Sequence, residues 1–590
     1  MSAPIVRDVA RRATPFVLLG AVLAGAVSLA GSARLEPADL VFNNGTEVST
    51  LDPARVTGVP EGRIIKALFE GLVVKHPRTL EPLPGMASSW EVSEDGLVYT
   101  FHLREDARWT NGDPVTADDF LYSWERFLHP QTAAEYAYQL WYVVGAEAFT
   151  KEVDEDGNPK NAFDTVGIRA LDPTTLQVTL KSPTPFFMDL MAFYPMFPVN
   201  RRNIEEAKER WPDDWEIQWL QPENLVTNGP YTVEYRRVND RIRLRKNPDY
   251  WDADNVALET IDALAIEQAT TSLNMYLTGE AHFIPSVPTT IIKKLLPRED
   301  FNPAPYLGTY FYRVNVTKPP FDDPRVRKAL ALTIDREAIC EKITKAGQKP
   351  ASGLVPPGML GYTGASFGSV NIAEAKELLA EAGFGPEGRE FPTIEIHYNT
   401  LEAHRDIAEV VAESWRRNLG IQTKLANQEW KVYLDTQSNL EYDVSRSAWI
   451  GDYPDPNTFL DMFVTGGENN KTGWGNDEYD LLVARAAIEF DPAERMELLR
   501  RAEDILMDEL PILPIYFYVT QNLVDPRLGG FYDNVQDEHF PKFFYWMDDE
   551  QLAAKRAGQP EAWERIDSSG PSDGLYAPAY TGPVPSPTGR

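Results

Sequence analysis

The sequence predicts an α/β protein of more than one lobe, each built around a mixed sheet. Three observations carry that expectation. From about residue 40 onward, short β-type runs alternate with helical ones in a mixed order, the pattern of sheets covered by helices. With 590 residues the chain is too long for a single hydrophobic core. Hydrophobic residues make up 43% and charged residues 25%, the balance of a chain that can bury such cores.

In chain order, residues 39–43 read as a strand and 62–72 as an amphipathic helix. Residues 98–104 alternate as an edge-type strand, followed by a turn at Asn111 and Gly112 and a helix near Ala117, with Thr116 as its N-cap. Residues 176–180 form a strand, and 231–235 with 241–245 a hairpin through Asn239 and Asp240. Helices are expected over 325–344, 372–382 and 405–418, and strands over 394–398, 423–427 and 514–519. Pro514 confines the start of the last strand to an edge or first position. Tyr516 and Tyr518 then share one face, and Tyr138, Trp141 and Tyr142 cluster on one helix. Flat rings of this kind wall a cavity for varied side chains.

Both ends of the chain read differently. Arg7, Arg11 and Arg12 precede an apolar stretch over 13–30 and the small residues Gly31, Ser32 and Ala33, the layout of an export signal. An uncleaved N-terminal anchor over 1–33 is the alternative. Ser32 stands where a lipoprotein signal needs cysteine, so no lipid is attached there. From about 558 to 590 the chain is rich in Pro, Gly and Ser and reads as a disordered tail.

Composition excludes several functions. A net charge of −32 disfavours binding to nucleic acid or to anionic lipid. Cys340 is the only cysteine, so neither an internal disulfide nor a cysteine-built zinc site can form, and it reads as a structural thiol on a helix. The seven histidines never fall at metal-binding helical spacing. The acidic loop 151–160 lacks a glutamate at the twelfth position from Asp154, where Thr165 stands. The glycines at 383, 385 and 388 follow a helix instead of a strand and read as a helix-terminating loop, not a dinucleotide site. No nucleophile–base pair is visible, and nothing desolvates Asp455 beside Asp452 to make an acid pair. No enzyme activity, cofactor or metal is expected.

The segment 442–463, YDVSRSAWIGDYPDPNTFLDMF, points to binding instead. A β-rich run carries Arg446 and Trp449, then turns through Gly451 and Asp452 into a helix-like apolar run. Arg446 and Asp452 are six residues apart, roughly 20 Å when extended, with backbone N–H and C=O groups between them. A basic anchor, an acidic anchor and a strand edge are what gripping a short zwitterionic peptide needs.

Several long stretches, in order, carry a resemblance across about residues 40–550. They include FNNGTEVSTLDPARVTGVPEG at 42–62, WTNGDPVTADDFLYSWERFLHP at 109–130 and NLVTNGPYTVEY at 224–235 with NPDYWD at 247–252. VTKPPFDDPRVRKALALTIDR at 316–336, NLGIQTKLANQEWKVYLDT at 418–436 and the segment 442–463 complete the set. The chain resembles the periplasmic oligopeptide-binding proteins of bacterial ABC importers, extracellular solute-binding protein family 5.

That resemblance implies a two-lobed periplasmic binding protein fold of class II type with an extra domain, mixed sheets and a hinge. Lobe I would comprise 40–69, 200–307 and 520–550, the extra domain 70–199, and lobe II 308–519, with crossings near 194–200, 306–309 and 519–523. It implies a monomer that binds short peptides and delivers them to an inner-membrane ABC permease from the periplasmic or extracytoplasmic side. Asp452 would receive the ligand's α-ammonium, and Arg446 and His404, as basic residues, its carboxyl end. Trp449 and Tyr518 would wall side-chain pockets, while Gly58, Val59, Ala448 and Ile450 lend backbone contacts. The chain departs from the family at Thr344, where a carboxylate-binding lysine is expected and Lys345 lies alongside. It departs also at Gly308 and Ile450, which replace a disulfide, at Arg313, which replaces an acidic residue, and near Gln437 and Ser438. Rival readings are another solute in the same fold (a metal chelate, haem or glycan fragment) or an exported peptide or glycan hydrolase.

Overall fold

Proline and small polar caps start many of the helices, so the elements follow closely from local chemistry. In the computed structural model, which describes residues 36–565 apart from 358, 360–361, 386–387 and 490, Pro60 sits in the first turn of helix Val59–Leu68. This start lies three residues before the expected one, and the helix ends at Leu68. Thr116 and Asp119 form a reciprocal capping box at the start of helix Ala117–Leu128. Helix Glu402–Leu419 buries Ile407, Val411 and Trp415 on one stripe at four-residue spacing. Truncating one of these would cost about 2–5 kcal/mol through lost burial and the cavity left behind.

Two six-stranded sheets organise the molecule. The first runs, edge to edge, Leu523–Val524, Phe283–Ile284, Leu40–Asn43, Thr260–Leu264, Arg241–Lys246 and Tyr231–Arg237. The second runs Lys349–Pro350, Ile512–Val519, Pro305–Val314, Val444–Ile450, Ile394–Asn399 and Thr423–Gln428. Both mix parallel and antiparallel pairs, as the irregular order of elements predicts. A four-stranded antiparallel sheet, Ala87–Val92, Val98–Leu103, Thr175–Thr179 and Ile168–Asp172, lies wholly within the stretch 70–199.

The chain passes between the two large sheets at 285–304 and at 520–522. These passages run side by side: Thr520 N donates to the Ala304 carbonyl at 2.8 Å, and Ala304 N to Thr520 Oγ1 at 2.9 Å. The expected crossing at 194–200 is not of this kind. It leads from the four-stranded sheet into helix Arg201–Arg210 and on to the first large sheet.

Four further expectations are corrected. Strand Val98–Leu103 is interior, flanked by Ala87–Val92 and Thr175–Thr179, because its alternation reports one open sheet face and not an open edge. The helix expected over 325–344 breaks after Leu332, where Asp335 caps a new turn by accepting from Ala338 N at 2.9 Å. The chain then continues as a π-helical segment, Ile339–Thr344, that ends at Lys345 with φ 61°. Pro514 lies inside strand Ile512–Val519, where a register shift against Pro305–Val314 accommodates its missing N–H. The tail begins in ordered form: Trp563 is buried beside Tyr532, and Glu564 pairs with Arg78. The remainder, 566–590, and the export signal or anchor at 1–33 lie outside the described residues. Among the described residues no helix is long and apolar enough to cross a membrane.

Candidate functional site

A cavity of about 440 Å³ lies between the two large sheets, and all nine residues named from the sequence line it. Gly58, Val59, His404, Arg446, Ala448, Trp449, Ile450, Asp452 and Tyr518 come from four separate stretches of chain.

Strand Val444–Ile450 supplies the central wall. Along one edge it pairs with Pro305–Val314 over its whole length. Along the other it pairs only at Val444 and Ser445, with Ile396 and His397. From Arg446 to Ile450 no strand covers that second edge among the described residues. Gly451 N donates to the Leu307 carbonyl on the paired side, so alternation turns the peptide groups of Arg446, Ala448 and Ile450 toward the open side. The Arg446 carbonyl is already taken by the Tyr433 hydroxyl and by Gln437 Nε2. Ala448 and Ile450 remain as the backbone rungs along the cavity.

Gly308 and Ile450 are direct cross-strand partners, and a Cβ on Gly308 would stand 2.4 Å from the Ile450 side chain. Gly58 caps helix Val59–Leu68, and a Cβ there would meet Glu61 Oε2 at 2.1 Å. A side chain at position 58 would therefore require the Glu61 carboxylate to shift.

At one end of the open edge, Arg446 is 8% exposed. Its Nη1 donates to Asn399 Oδ1 at 3.1 Å and its Nη2 to the Tyr518 hydroxyl at 2.8 Å. The guanidinium lies 4.8 Å over the Tyr310 ring, and the rings of Tyr516 and Tyr518 complete the enclosure. None of the described carboxylates pairs with it. His404 is buried, with Nδ1 3.4 Å from the Tyr310 hydroxyl. Burial, and then the charge of Arg446, hold its imidazole well below the usual value. His404 is therefore a neutral hydrogen-bonding group at pH 7. Thr344 is buried with its hydroxyl on the Cys340 carbonyl, and neither it nor Lys345 is on the cavity wall.

At the other end stands Asp452. Part of its surface is free, and that part faces the cavity; burial on its other sides pushes the carboxyl up to about 8, with Lys75 opposing and Glu538 reinforcing. Its Oδ2 lies 3.4 Å from Thr458 Oγ1 and 3.5 Å from Gln139 Nε2, both neutral groups. Asp455, three residues on, is held by Arg495 through two bonds of 2.7 and 2.9 Å and caps Asn457 N, a structural use.

Aromatic rings and paired charges make up the remaining walls. Trp449 lies 6.2 Å from Tyr136, and Tyr306 5.9 Å from Tyr518. Lys66 pairs with Glu538 at 3.4 Å, and Lys471 with Glu135 at 2.6 Å. Sequence reasoning missed these four charged residues, together with Tyr306 and Tyr310. They come from stretches far apart in the chain, and none has a local pattern that marks it.

The comparisons agree with this geometry. The sequence matches the family described as bacterial extracellular solute-binding proteins, family 5 Middle, over residues 81–471. It is 38% identical over 534 residues to the periplasmic oligopeptide-binding protein OppA of Escherichia coli K12, covering 87% of this chain and 94% of the relative. Haemophilus influenzae OppA in complex with RPPGFSPFR superposes with a TM-score of 0.81 at 32% identity, over 87% of this chain and all of that one (100%). The murein tripeptide binding protein MppA of Escherichia coli gives 0.81 at 36% identity, covering 87% and 99%. The unliganded open form of MppA gives 0.58 at the same 36%, covering 87% and 98%. The two sheets of this chain thus close on each other more as in the peptide complex than as in the open form, in a two-lobed α/β fold. The chain belongs to the bacterial extracellular solute-binding proteins of family 5.

Proposed function

We propose that the chain is the extracytoplasmic solute-binding component of an ABC peptide importer and encloses short oligopeptides between its two lobes. One observation carries the reading: a strand edge open from Arg446 to Ile450 has a buried cation without a carboxylate at one end and an aspartate without a cation at the other. An extended peptide complements all three features. Its α-ammonium pairs with Asp452, its backbone continues the sheet through Ala448 and Ile450, and its carboxylate meets Arg446.

Recognition through charged ends and main chain leaves the ligand's side chains to Trp449, Tyr518 and water, which tolerates varied sequences. Closure follows from two parallel passages between the sheets, which can bend together while ligand bridges the lobes. The expected setting is the periplasmic side of the inner membrane, as a monomer that hands peptide to a permease. On this reading the peptide leaves as it entered.

Native mass spectrometry of the purified protein, followed by release and sequencing of what it carries, tests the reading. Intact peptides of a few residues are the expected result. Cleavage of a peptide mixture, or a bound metal chelate, haem or glycan in place of peptide, would overturn it.

A further inference from the structure

We propose that Arg313 forms a second carboxylate subsite in the cavity, apart from Arg446, that selects peptides carrying an acidic side chain; the inference rests on the peptide reading above. Arg313 lies on strand Pro305–Val314 directly opposite Ser445 and is 3% exposed, with its free surface on the cavity. Its Nε donates to Ser447 Oγ at 3.0 Å and its Nη1 to the Asn469 carbonyl at 2.9 Å. Both acceptors are neutral. The rings of Phe311 and Phe463 flank the guanidinium at 5.6 and 5.8 Å.

None of the described carboxylates forms an ion pair with Arg313. The nearby acid on the cavity wall, Glu135, is engaged by Lys471 at 2.6 Å, so those two charges offset each other. The charge of Arg313 is left without a counterion in its own shell. Burial works against that charge and draws the group below its ordinary value. An arginine nonetheless stays protonated, so a carboxylate brought to it relieves a standing cost.

Geometry separates this subsite from Arg446. Directly paired residues of an antiparallel sheet share a face, which puts Arg313 with Ser445 and, two and four residues on, Ser447 and Trp449. Arg446 and Ala448 project from the other face. A peptide extended along residues 446–450 sends alternate side chains to each face. One that lies over Trp449 therefore has its neighbour two positions along over Ser447 and Arg313.

Calorimetric dissociation constants for tetrapeptides with Glu at one position at a time, against their Gln counterparts, test this on the unmodified protein. Each peptide is measured both as free acid and as C-terminal amide. The expected result is a preference for Glu over Gln of about tenfold or more at one position. Arg313→Gln should abolish it, so that the Glu and Gln peptides bind alike, and Arg313→Lys should keep part of it. Equal binding of Glu and Gln at every position overturns the proposal. If Arg313→Gln instead removes the difference between acid and amide, the subsite takes the terminal carboxylate and the side-chain assignment is wrong. Failure of every peptide to bind is a different result: it overturns the peptide reading and takes this inference with it.

Discussion

The ammonium of Lys75 reaches Asp452 through the main chain and not through the carboxylate. It donates to the Asp452 carbonyl oxygen at 3.2 Å and to Gln536 Oε1 at 2.7 Å, and it lies 3.9 Å from Asp189. Gln536 in turn donates to the carbonyls of Gly451 and Asp452, both at 2.8 Å. The turn that carries Asp452 is thus held by its backbone, and the carboxylate keeps its acceptors for something else. A carboxylate tied directly to Lys75 would have to break that pair before it could receive an ammonium.

Asp452→Asn should therefore damage binding far more than folding. The ligand's ammonium would enter a closed site with no counter-charge, at a cost of about 2–5 kcal/mol in affinity. Thermal stability of the ligand-free protein should hold or rise, because a buried carboxylate without an ion-pair partner has been removed. Calorimetry with a tetrapeptide and melting of the free protein separate the two effects. Loss of stability with affinity intact would show that Asp452 is a structural residue.

Peptide binding should release a proton near neutral pH. The Asp452 carboxyl rises from 3.8 to about 8 by burial, with Lys75 opposing, so in the free protein it is largely protonated at pH 7. The unfolded chain loses this proton first, so the protonated carboxyl's contribution to stability is full below 3.8 and is lost as pH rises to about 8. An incoming ammonium needs the charged form, and binding expels the proton. Calorimetry at about pH 6.5 in two buffers of different ionisation enthalpy should show release approaching one proton, fading above about pH 8 and absent in Asp452→Asn. No release at either pH would contradict this picture of the anchor.

Legibility in the sequence followed locality. Arg446, Trp449 and Asp452 lie within one seven-residue stretch, so their spacing could be read directly, whereas Ala448 and Ile450 followed only from the family resemblance. Lys75 could not be placed, and Arg313 only through the resemblance, because each acts through contacts with residues far off in the chain: Lys75 with Asp452 and Gln536, Arg313 with Ser447 and Asn469. The hairpin through Asn239, at φ 58°, and the capping box at Thr116 were readable for the same local reason. The helix break after Leu332 was not. Apolar periodicity continues across it, and only the side-chain cap at Asp335 marks the new start. The neutral state of His404 also needed three dimensions, since its cause is packing beside Arg446.

Arg446→Gln should abolish the preference for a free carboxylate over a C-terminal amide. Neither Thr344 nor Lys345 reaches the cavity, and His404 is uncharged, so Arg446 is the cation at that end of the edge. A hydrogen-bonded charge of this kind contributes about 1.5–3 kcal/mol, or roughly 10- to 150-fold in Kd. The wild-type protein should show that difference between acid and amide for peptides long enough to span from Asp452, and the variant should bind both alike. If amidation has no effect on the wild-type protein at any length, Arg446 does not hold the carboxylate.

Glu503 supplies a test of stability away from the ligand. Its carboxylate is fully buried and accepts four bonds: from the N–H groups of Leu354, Val355 and Ala365, each at 2.8 Å, and from the Tyr362 hydroxyl at 2.6 Å. Those donors lie between Ala351 and Phe367, where the described residues form no long helix or strand. Burial raises the carboxyl, while Tyr362 and the three N–H groups act to lower it and favour the charged form. Glu503→Ala would strand all four donors inside the protein, at a cost of about 3 kcal/mol or more. Glu503→Gln keeps acceptors of similar shape and should cost less, because it removes the charge but leaves a carbonyl oxygen for two of the N–H groups. Denaturant melts should rank wild type, Glu503→Gln and Glu503→Ala in that order, and limited proteolysis of Glu503→Ala should cut first within 351–367. Equal stability of all three would mean that the segment is held by its apolar contacts alone.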